Sequence, residues 1–268
     1  MRLAALSMYD LPAMRPAIDA WWRGLRRALC AEGLDNLPSE LTRPRDLRAL
    51  LTSPELLLAQ TCGYPLTHAL AGHVALVATP AYAAPGCDGP AYVSQLIVPA
   101  DSAVDTLADL RGRVAAINGW DSHSGMSALR HAVAPLAEDG RFFADIVVSG
   151  SHVRSIAMVA AGQADLAAID CVTYALINRY DPALLSAVRI LGSSAAAPGL
   201  PYVTHGAADV DFVQRLRAGL ARAVADPSLA DLRADLLIAD IAVLDFAAYD
   251  RVLEMETAAV GAGYARLN

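Results

Sequence analysis

The segment from Arg113 to Asp170 constrains the fold more than any other part of the chain, because it repeats a strand–turn–helix unit. An apolar run at 114–117 predicts a short buried strand, and a break at Asn118-Gly119 follows. A helix is predicted next, with apolar positions at Met126, Leu129, Val133 and Leu136. Ser122, His123 and Ser124 therefore lie where a strand leads into a helix N-terminus. Unpaired N–H groups and the positive end of the helix dipole favour an anion there.

The second unit of this segment has the same order. Residues 142–148 predict a strand, Ser149-Gly150-Ser151-His152 a turn, and 153–161 a helix that Gly162 ends. The run 166–169 predicts a further strand, which ends in Asp170. Two strand–helix junctions with serine and histidine, followed by a strand that ends in a carboxylate, predict a binding site for a small molecule.

The remaining elements continue the α/β pattern. Trp21 and Trp22 are predicted to pack in the core, whereas Tyr9 and Tyr64 directly follow predicted strands and are candidate site residues, Tyr64 in a Gly–Pro turn. Strands are predicted at 3–6, 56–59, 73–79, 91–98, 188–191 and 201–204. Helices are predicted at 14–31, 44–51, 106–112, 172–178, 210–225, 228–236 and 246–259, so that everything after 204 is expected to be helical.

Two changes in composition, near 96–99 and 193–199, indicate linkers that enclose the middle of the chain. We therefore expect two Rossmann-like α/β lobes joined by a double crossover. Residues 1–95 together with 199–268 would form lobe I, and 96–198 would form lobe II, with a cleft between the lobes. Ligands of open α/β sheets bind outside the carboxyl ends of the strands, which is where the candidate residues fall.

Charge and composition exclude several classes of protein. The net charge of −7 and the absence of a basic stripe argue against a nucleic-acid partner and against an anionic membrane surface. No apolar run is long enough to span a membrane, and the first residues do not form a signal peptide. We therefore expect a periplasmic protein if a leader was removed, and otherwise a cytoplasmic one.

The four cysteines show neither a C-x-x-C pair nor zinc spacing. Cys62 and Cys87 flank neighbouring segments and could form a disulfide, whereas Cys30 and Cys171 are interpreted as small buried hydrophobic residues. No cofactor is expected. A metal site formed by His123, His152 and Asp170 is an alternative, but the spacing does not establish the tight geometry that it needs.

Together these motifs resemble the type II periplasmic solute-binding proteins of ABC importers, and in particular the phosphate/phosphonate-binding group. The similarity covers most of the chain and is strongest from 90 to 205. It rests on the order and spacing of five segments, which are 109–114, 121–125, 149–152, 162–170 and 198–202.

The resemblance implies a role for each candidate residue. The helix start of the family, Ser/Thr-Ser-Gly, corresponds to Ser122, Ser124 and Gly125 and implies contacts with phosphonate or phosphate oxygens, while His123 replaces a small hydroxyl residue. Its Gly-Ser-His turn corresponds to Ser151 and His152, and its cleft tyrosines to Tyr64 and Tyr92. Asp170 stands where a carboxylate would meet an ammonium group of a zwitterionic ligand. A monomer that delivers its ligand to an ABC permease by hinge closure is the implied function.

Two alternatives remain open at the level of sequence. A cytosolic ligand sensor would use the same fold without a transporter. A serine hydrolase would need a G-x-S-x-G elbow, which Gly119 to Gly125 do not provide, and adjacent Ser122 and His123 cannot easily act as nucleophile and base. A nucleophilic Cys171 with His152 is weaker still. Solute binding without catalysis is therefore the main prediction.

Overall fold

The computed structural model describes residues 2–268, which form two compact units. The first unit comprises the chain up to residue 83, together with 88–90 and 198–248. The second comprises 84–87, 91–197 and 249–268. Within the described residues, no helix is long and apolar enough to cross a membrane.

The first unit is built on a five-stranded sheet in the order β1-β2-β11-β3-β12. Its strands are β1 (Leu3–Ala5), β2 (Leu56–Gln60), β3 (Val74–Tyr82), β11 (Tyr202–His205) and β12 (Ile238–Ala242). Strands β1 and β2 are parallel, and β11 is antiparallel to both of its neighbours. Its helices are α1 (Arg15–Ala31), α2 (Leu47–Leu51), α3 (Gly63–Thr67), α7 (Val210–Ala225) and α8 (Ala230–Asp235).

The second unit has a five-stranded sheet in the order β7-β6-β8-β5-β9. Its strands are β5 (Ser94–Pro99), β6 (Val114–Ile117), β7 (Asp145–Val148), β8 (Leu166–Asp170) and β9 (Val188–Ser193), and β4 (Ala91–Tyr92) pairs separately with β10 (Ala197–Pro198). Its helices are α4 (Ala128–Val133), α5 (His152–Ala160), α6 (Cys171–Tyr180) and α9 (Asp250–Gly261). Strand β6 lies between β7 and β8 and is parallel to both, so the carboxyl ends of all three meet at one edge of the sheet.

The apolar cores explain why the sequence forms these layers. Helix α1 buries one face with Ile18, Trp21, Trp22, Leu25 and Leu29, and every side chain of β2 and β8 is buried. Strands without an exposed face are typical of sheets that helices cover on both sides. The predicted α/β class and the core position of the two tryptophans are confirmed.

The ends of the two units differ from the predicted lobes. Residues 249–268 belong to the second unit and not to the lobe of the N-terminus. The buried side chain of Arg130 in α4 accounts for this, because it donates to Glu256 in α9 at 2.8 Å and to the carbonyl oxygen of Ala265 at 3.0 Å. The predicted linker at 96–99 lies in β5, which is largely buried between β8 and β9 of the second sheet.

Three predictions of local structure were wrong. The segment after residue 204 is not wholly helical, because β12 pairs with β3. Residues 142–144 precede β7 and are not part of it, since the N–H groups of Phe142 and Phe143 donate to the carbonyl oxygen of Asn268. The strand predicted over 91–98 is divided at Val93 into β4 and β5.

The cysteines also differ from the prediction. None of the four, all within the described residues, forms a disulfide. Cys62 lies in the first unit and Cys87 in the second, and the sulfur that approaches Cys87 is that of Cys171, at 3.6 Å. Cys171 is buried as expected, but Cys30 is exposed, because it lies on the outer side of the last turn of α1.

Candidate functional site

The structure places most of the predicted site residues in the second unit, at the carboxyl ends of β6, β7 and β8. Ile117 at the end of β6 is paired with Val148 at the end of β7, so the turns that follow both strands begin at the same level. Ser122 to Gly125 follow β6, Ser151 and His152 follow β7, and Asp170 ends β8. The three junctions therefore lie at the same edge of the second sheet.

Ser122 begins the helical segment after β6 and is buried together with the next residues. Its Oγ accepts a hydrogen bond from the N–H of Gly125 at 3.0 Å, and its carbonyl oxygen accepts from Ser127 at 3.0 Å. The first turn, 123–127, is π-helical before α4 continues. Ser122 is thus a helix cap, but its own hydroxyl hydrogen remains a donor.

Gly125 is required at this turn for reasons of space. A β-carbon at this position would lie 1.9 Å from Oδ1 of Asn118, so the Asn118 side chain occupies the volume that any larger residue would need. Oδ1 of Asn118 is buried and makes no hydrogen bond among the described residues. The last residue before the turn therefore packs directly against the start of the helix.

Ser124 connects the first junction with the second. Its Oγ lies 2.9 Å from Nε2 of His152, which is the first residue of α5, and 3.5 Å from Oγ of Ser122. Ser124 is 3% exposed and His152 is half-buried, although its Nδ1 atom is buried. Burial lowers the pKa of His152 to about 4, so its imidazole is neutral near pH 7.

The second junction is held by serines with structural roles. Ser151 caps α5, because its Oγ accepts from the N–H of Arg154 at 3.2 Å. Buried Ser149 lies 3.0 Å from the carbonyl oxygens of Ile117 and Ser151 and 2.7 Å from Oγ of Ser155. Through these contacts Ser149 ties the end of β6 to the start of α5.

His123 and Tyr92 lie together behind the first turn. Their ring centroids are 6.3 Å apart with the planes tilted by 55°, and both residues are buried. Burial is the main cause that lowers the pKa of His123 to about 4, and the positive charges of His131 and Arg251 add to it. A neutral His123 therefore takes the place of the small hydroxyl residue that the resemblance implied.

Asp170 caps the helix that follows β8. Its Oδ1 accepts from the N–H groups of Val172 at 2.7 Å and Thr173 at 3.0 Å, and the residue is 2% exposed. The capping role that competes with ligand binding is thus present in the structure. Within the described residues, no group of three or more histidine, cysteine or acidic side chains is placed to hold a metal ion.

Tyr9 and Tyr64 lie in the first unit. Tyr9 follows β1, and its ring meets that of Tyr82 edge-on at a centroid distance of 5.2 Å. Tyr64 lies on the short helix α3 and not in a turn, and its ring stacks on His68 at 3.9 Å. Both tyrosines remain predictions as ligand contacts.

Three further polar residues near these positions were not predicted as site residues. Tyr82 is the last residue of β3, which extends three residues beyond the predicted strand. The Tyr82 hydroxyl accepts a hydrogen bond from Nε2 of Gln60 at 3.2 Å. Asn118 was interpreted only as a strand break. Arg154 brings a positive charge to the second junction, with a guanidinium nitrogen 3.8 Å from where a β-carbon of Gly150 would lie.

The fold defines the class of protein. Two α/β units that each carry a five-stranded sheet match the type II periplasmic binding proteins. The family model described as the periplasmic substrate-binding protein of phosphonate ABC transporters matches residues 46–249. The chain therefore belongs to this family, which consists of solute-binding components and not of enzymes.

Solved structures agree at the level of the fold. A binding protein component of an ABC phosphonate transporter, PA3383 from Pseudomonas aeruginosa, has a TM-score of 0.77 at 17% identity, over 98% of this chain and 87% of that chain. PhnD1 from Prochlorococcus marinus, solved with methylphosphonate, has a TM-score of 0.75 at 12% identity, over 96% of this chain and 97% of that chain. XAC2383 from Xanthomonas citri, bound to ATP, has a TM-score of 0.70 at 16% identity, over 97% of this chain and 98% of that chain. A search of curated proteins found no match to this sequence.

Proposed function

We propose that the second unit of this solute-binding protein holds the tetrahedral head of a phosphonate-class anion at Ser122, Ser124 and His152. The hydrogen-bonding contact of 2.9 Å between Ser124 and His152 carries this proposal, because it brings polar groups from two separate strand–helix junctions to one point. Helix starts at both junctions add N–H groups that have no acceptor inside their own helices.

The protonation of His152 determines which hydrogens reach the ligand. A neutral imidazole carries one N–H, and Nδ1 has no hydrogen-bond partner among the described residues. If Nε2 carries the hydrogen, it donates to Oγ of Ser124 and leaves the serine hydroxyl free to donate to an anionic oxygen. We infer that an anion favours this tautomer, because the opposite one would direct the serine hydrogen away from the ligand.

The same contact lacks what a hydrolase would need. In a catalytic triad a carboxylate orients the histidine through Nδ1 and stabilises its charged form. Within residues 2–268, Nδ1 of His152 meets no such group, and burial disfavours the imidazolium. The pair is therefore suited to hydrogen bonding with a bound anion and not to accepting a proton.

The ligands of the relatives support an anion of this class. Methylphosphonate, in PhnD1, and ATP, in XAC2383, share phosphorus bonded to anionic oxygens. Charge-assisted hydrogen bonds contribute roughly 1.5–3 kcal/mol each. Three or four of them, less the cost of ordering, reach about −8 kcal/mol, which corresponds to micromolar affinity.

We propose further that a zwitterion with an amine near Asp170 is preferred, and that the protein serves an ABC permease as a monomer in the periplasm.

A thermal-shift screen tests the proposal. Phosphate, phosphite, methylphosphonate, 2-aminoethylphosphonate, sulfate and acetate are added to wild type and to Ser124→Ala. A ligand at 100 times its dissociation constant adds about 2.7 kcal/mol to the free energy of unfolding, which raises the melting temperature by several degrees. We expect this shift with at least one phosphorus compound, and a smaller one in the variant. Equal shifts with acetate, or no shift with any phosphorus anion, would contradict the proposal.

A further inference from the structure

Two thiols meet in the second unit, close to the anion site but outside it. Cys171 is the first residue of α6 and is 1% exposed, while Cys87 lies half-buried in the turn that precedes β4. Their sulfur atoms are 3.6 Å apart, although 84 positions separate them in the sequence. The sulfurs need to approach to about 2.05 Å to form a bond.

The backbone holds both cysteines in place. The N–H of Cys87 donates to the carbonyl oxygen of Ala84 at 3.0 Å, and the N–H of Cys171 donates to that of Val93 at 3.0 Å. Gly86 has a φ of +98°, and a β-carbon there would lie 3.2 Å from Cβ of Cys171 and 2.8 Å from a methyl carbon of Val93. Glycine therefore lets the turn pack closely against the start of α6.

The surroundings make the two thiols unequal. The hydrogen bond from the Cys171 thiol lowers the pKa of Cys87, whereas that same bond, together with burial and the charge of Asp170, raises the pKa of Cys171. The thiolate is the nucleophile in exchange with disulfides. Cys87 is both the more exposed thiol and the one with the lower pKa, so it is the group that an oxidant meets first.

We propose that Cys87 and Cys171 form an intramolecular disulfide on exchange with a small disulfide such as oxidised glutathione. The Cys87 thiolate attacks one sulfur of the oxidant and expels the first thiolate, which leaves a mixed disulfide on Cys87. Cys171 then gives up its proton and attacks the Cys87 sulfur, which expels the second thiolate. Two protein thiols are oxidised and one oxidant disulfide is reduced to two thiols.

The bond has a structural consequence next to the anion site. It joins the turn at 84–87 to the residue that follows Asp170, whose Oδ1 caps the same helix. It also closes the chain between 87 and 171, which lowers the entropy of the unfolded state. The family to which the chain belongs is periplasmic, and disulfides persist in that compartment.

Peptide mapping of the wild-type chain after incubation with oxidised glutathione tests the inference. We expect a mass lower by two hydrogen atoms and a linked peptide that contains Cys87 and Cys171. The melting temperature should rise by about 5–10 °C, return on adding dithiothreitol, and stay unchanged in Cys87→Ser. A Cys62–Cys87 link, a lasting glutathione adduct on Cys87, or unreacted thiols would overturn it.

Discussion

Ser124 and His152 lie at two different strand–helix junctions of the second unit, yet Oγ of one is 2.9 Å from Nε2 of the other. The parallel register of β6 and β7, with Ile117 opposite Val148, brings the two junctions to this distance. The side chains of Ser122, Ser151 and Asp170 cap helices. The contact between Ser124 and His152 is not a helix cap. The pair is therefore the part of the site that helix capping does not explain.

The energetic coupling of this pair can be measured. We expect Ser124→Ala to weaken binding of methylphosphonate by about 1–2 kcal/mol, since one hydroxyl donor is lost. His152→Ala should cost a similar amount, and the double variant less than the sum, because the two groups share one hydrogen bond. Isothermal titration calorimetry gives the four affinities. Exposed Ser186→Ala is the matched control, and strictly additive losses would argue against a shared role.

Gly125 and Asn118 provide a second test. Gly125→Ala places a methyl group where Oδ1 of Asn118 lies, so we expect it to weaken binding and to lower the free energy of unfolding by about 1–3 kcal/mol. Asn118→Ala in the same chain removes the obstructing side chain and should restore part of both losses. Urea unfolding and calorimetry report the two quantities. No recovery in the double variant would mean that Gly125 is needed for another reason.

Asp170 can be tested for a role beyond capping. Asp170→Asn keeps the Oδ1 oxygen that accepts from Val172 and Thr173 and removes only the negative charge. We expect this substitution to weaken the binding of 2-aminoethylphosphonate by about 1–3 kcal/mol more than it weakens the binding of methylphosphonate. Asp209→Asn is the control, since Asp209 caps α7 in the first unit in the same way. If the affinities for both ligands decrease equally, Asp170 acts only as a helix cap.

Stability should fall in acid because two histidines are buried in the neutral form. The pKa values of His123 and His152 are lowered to about 4, so between about pH 6.5 and pH 4 the unfolded chain binds protons that the folded chain does not. Stability is therefore complete above about pH 6.5 and decreases as the pH falls towards 4. Each histidine contributes at most roughly 3 kcal/mol to this loss.

Urea unfolding at a series of pH values separates this effect from the general charge of the chain. His123→Gln removes one of the two groups, and the decrease between pH 6.5 and pH 4 should become shallower. His73→Gln, at an exposed position before β3, should leave the slope as it is in wild type. If the free energy of unfolding decreases equally with pH in all three proteins, burial of His123 does not control acid stability.

The sequence predicted the elements whose signals are local. Apolar runs and caps predicted β6, β8 and α7 closely, and the Ser/His junctions predicted which edge of the second sheet carries polar residues. Strand β12 was missed because its five residues include two alanines and an aspartate, which are uncommon in strands. Helix α8 ends at Asp235, and Leu237 then adopts a φ of +57° without the glycine that normally marks such an end. Pairing with β3 then determines the strand.

Side-chain contacts between distant segments had no signal in a single sequence. The approach of Ser124 to His152 depends on the register of two strands, and the approach of Cys87 to Cys171 depends on a turn with a left-handed glycine. Tyr82 was missed because β3 is longer than its apolar run. These are consequences of tertiary packing, which spacing along the chain does not encode.

A crystal structure of the protein with methylphosphonate tests the central claim most directly. The account predicts that phosphonate oxygens lie within about 3 Å of Oγ of Ser124 and of at least one more donor among Ser122 and the helix-start N–H groups. A methylphosphonate bound elsewhere, with Ser124 and His152 still joined only to each other, would contradict it.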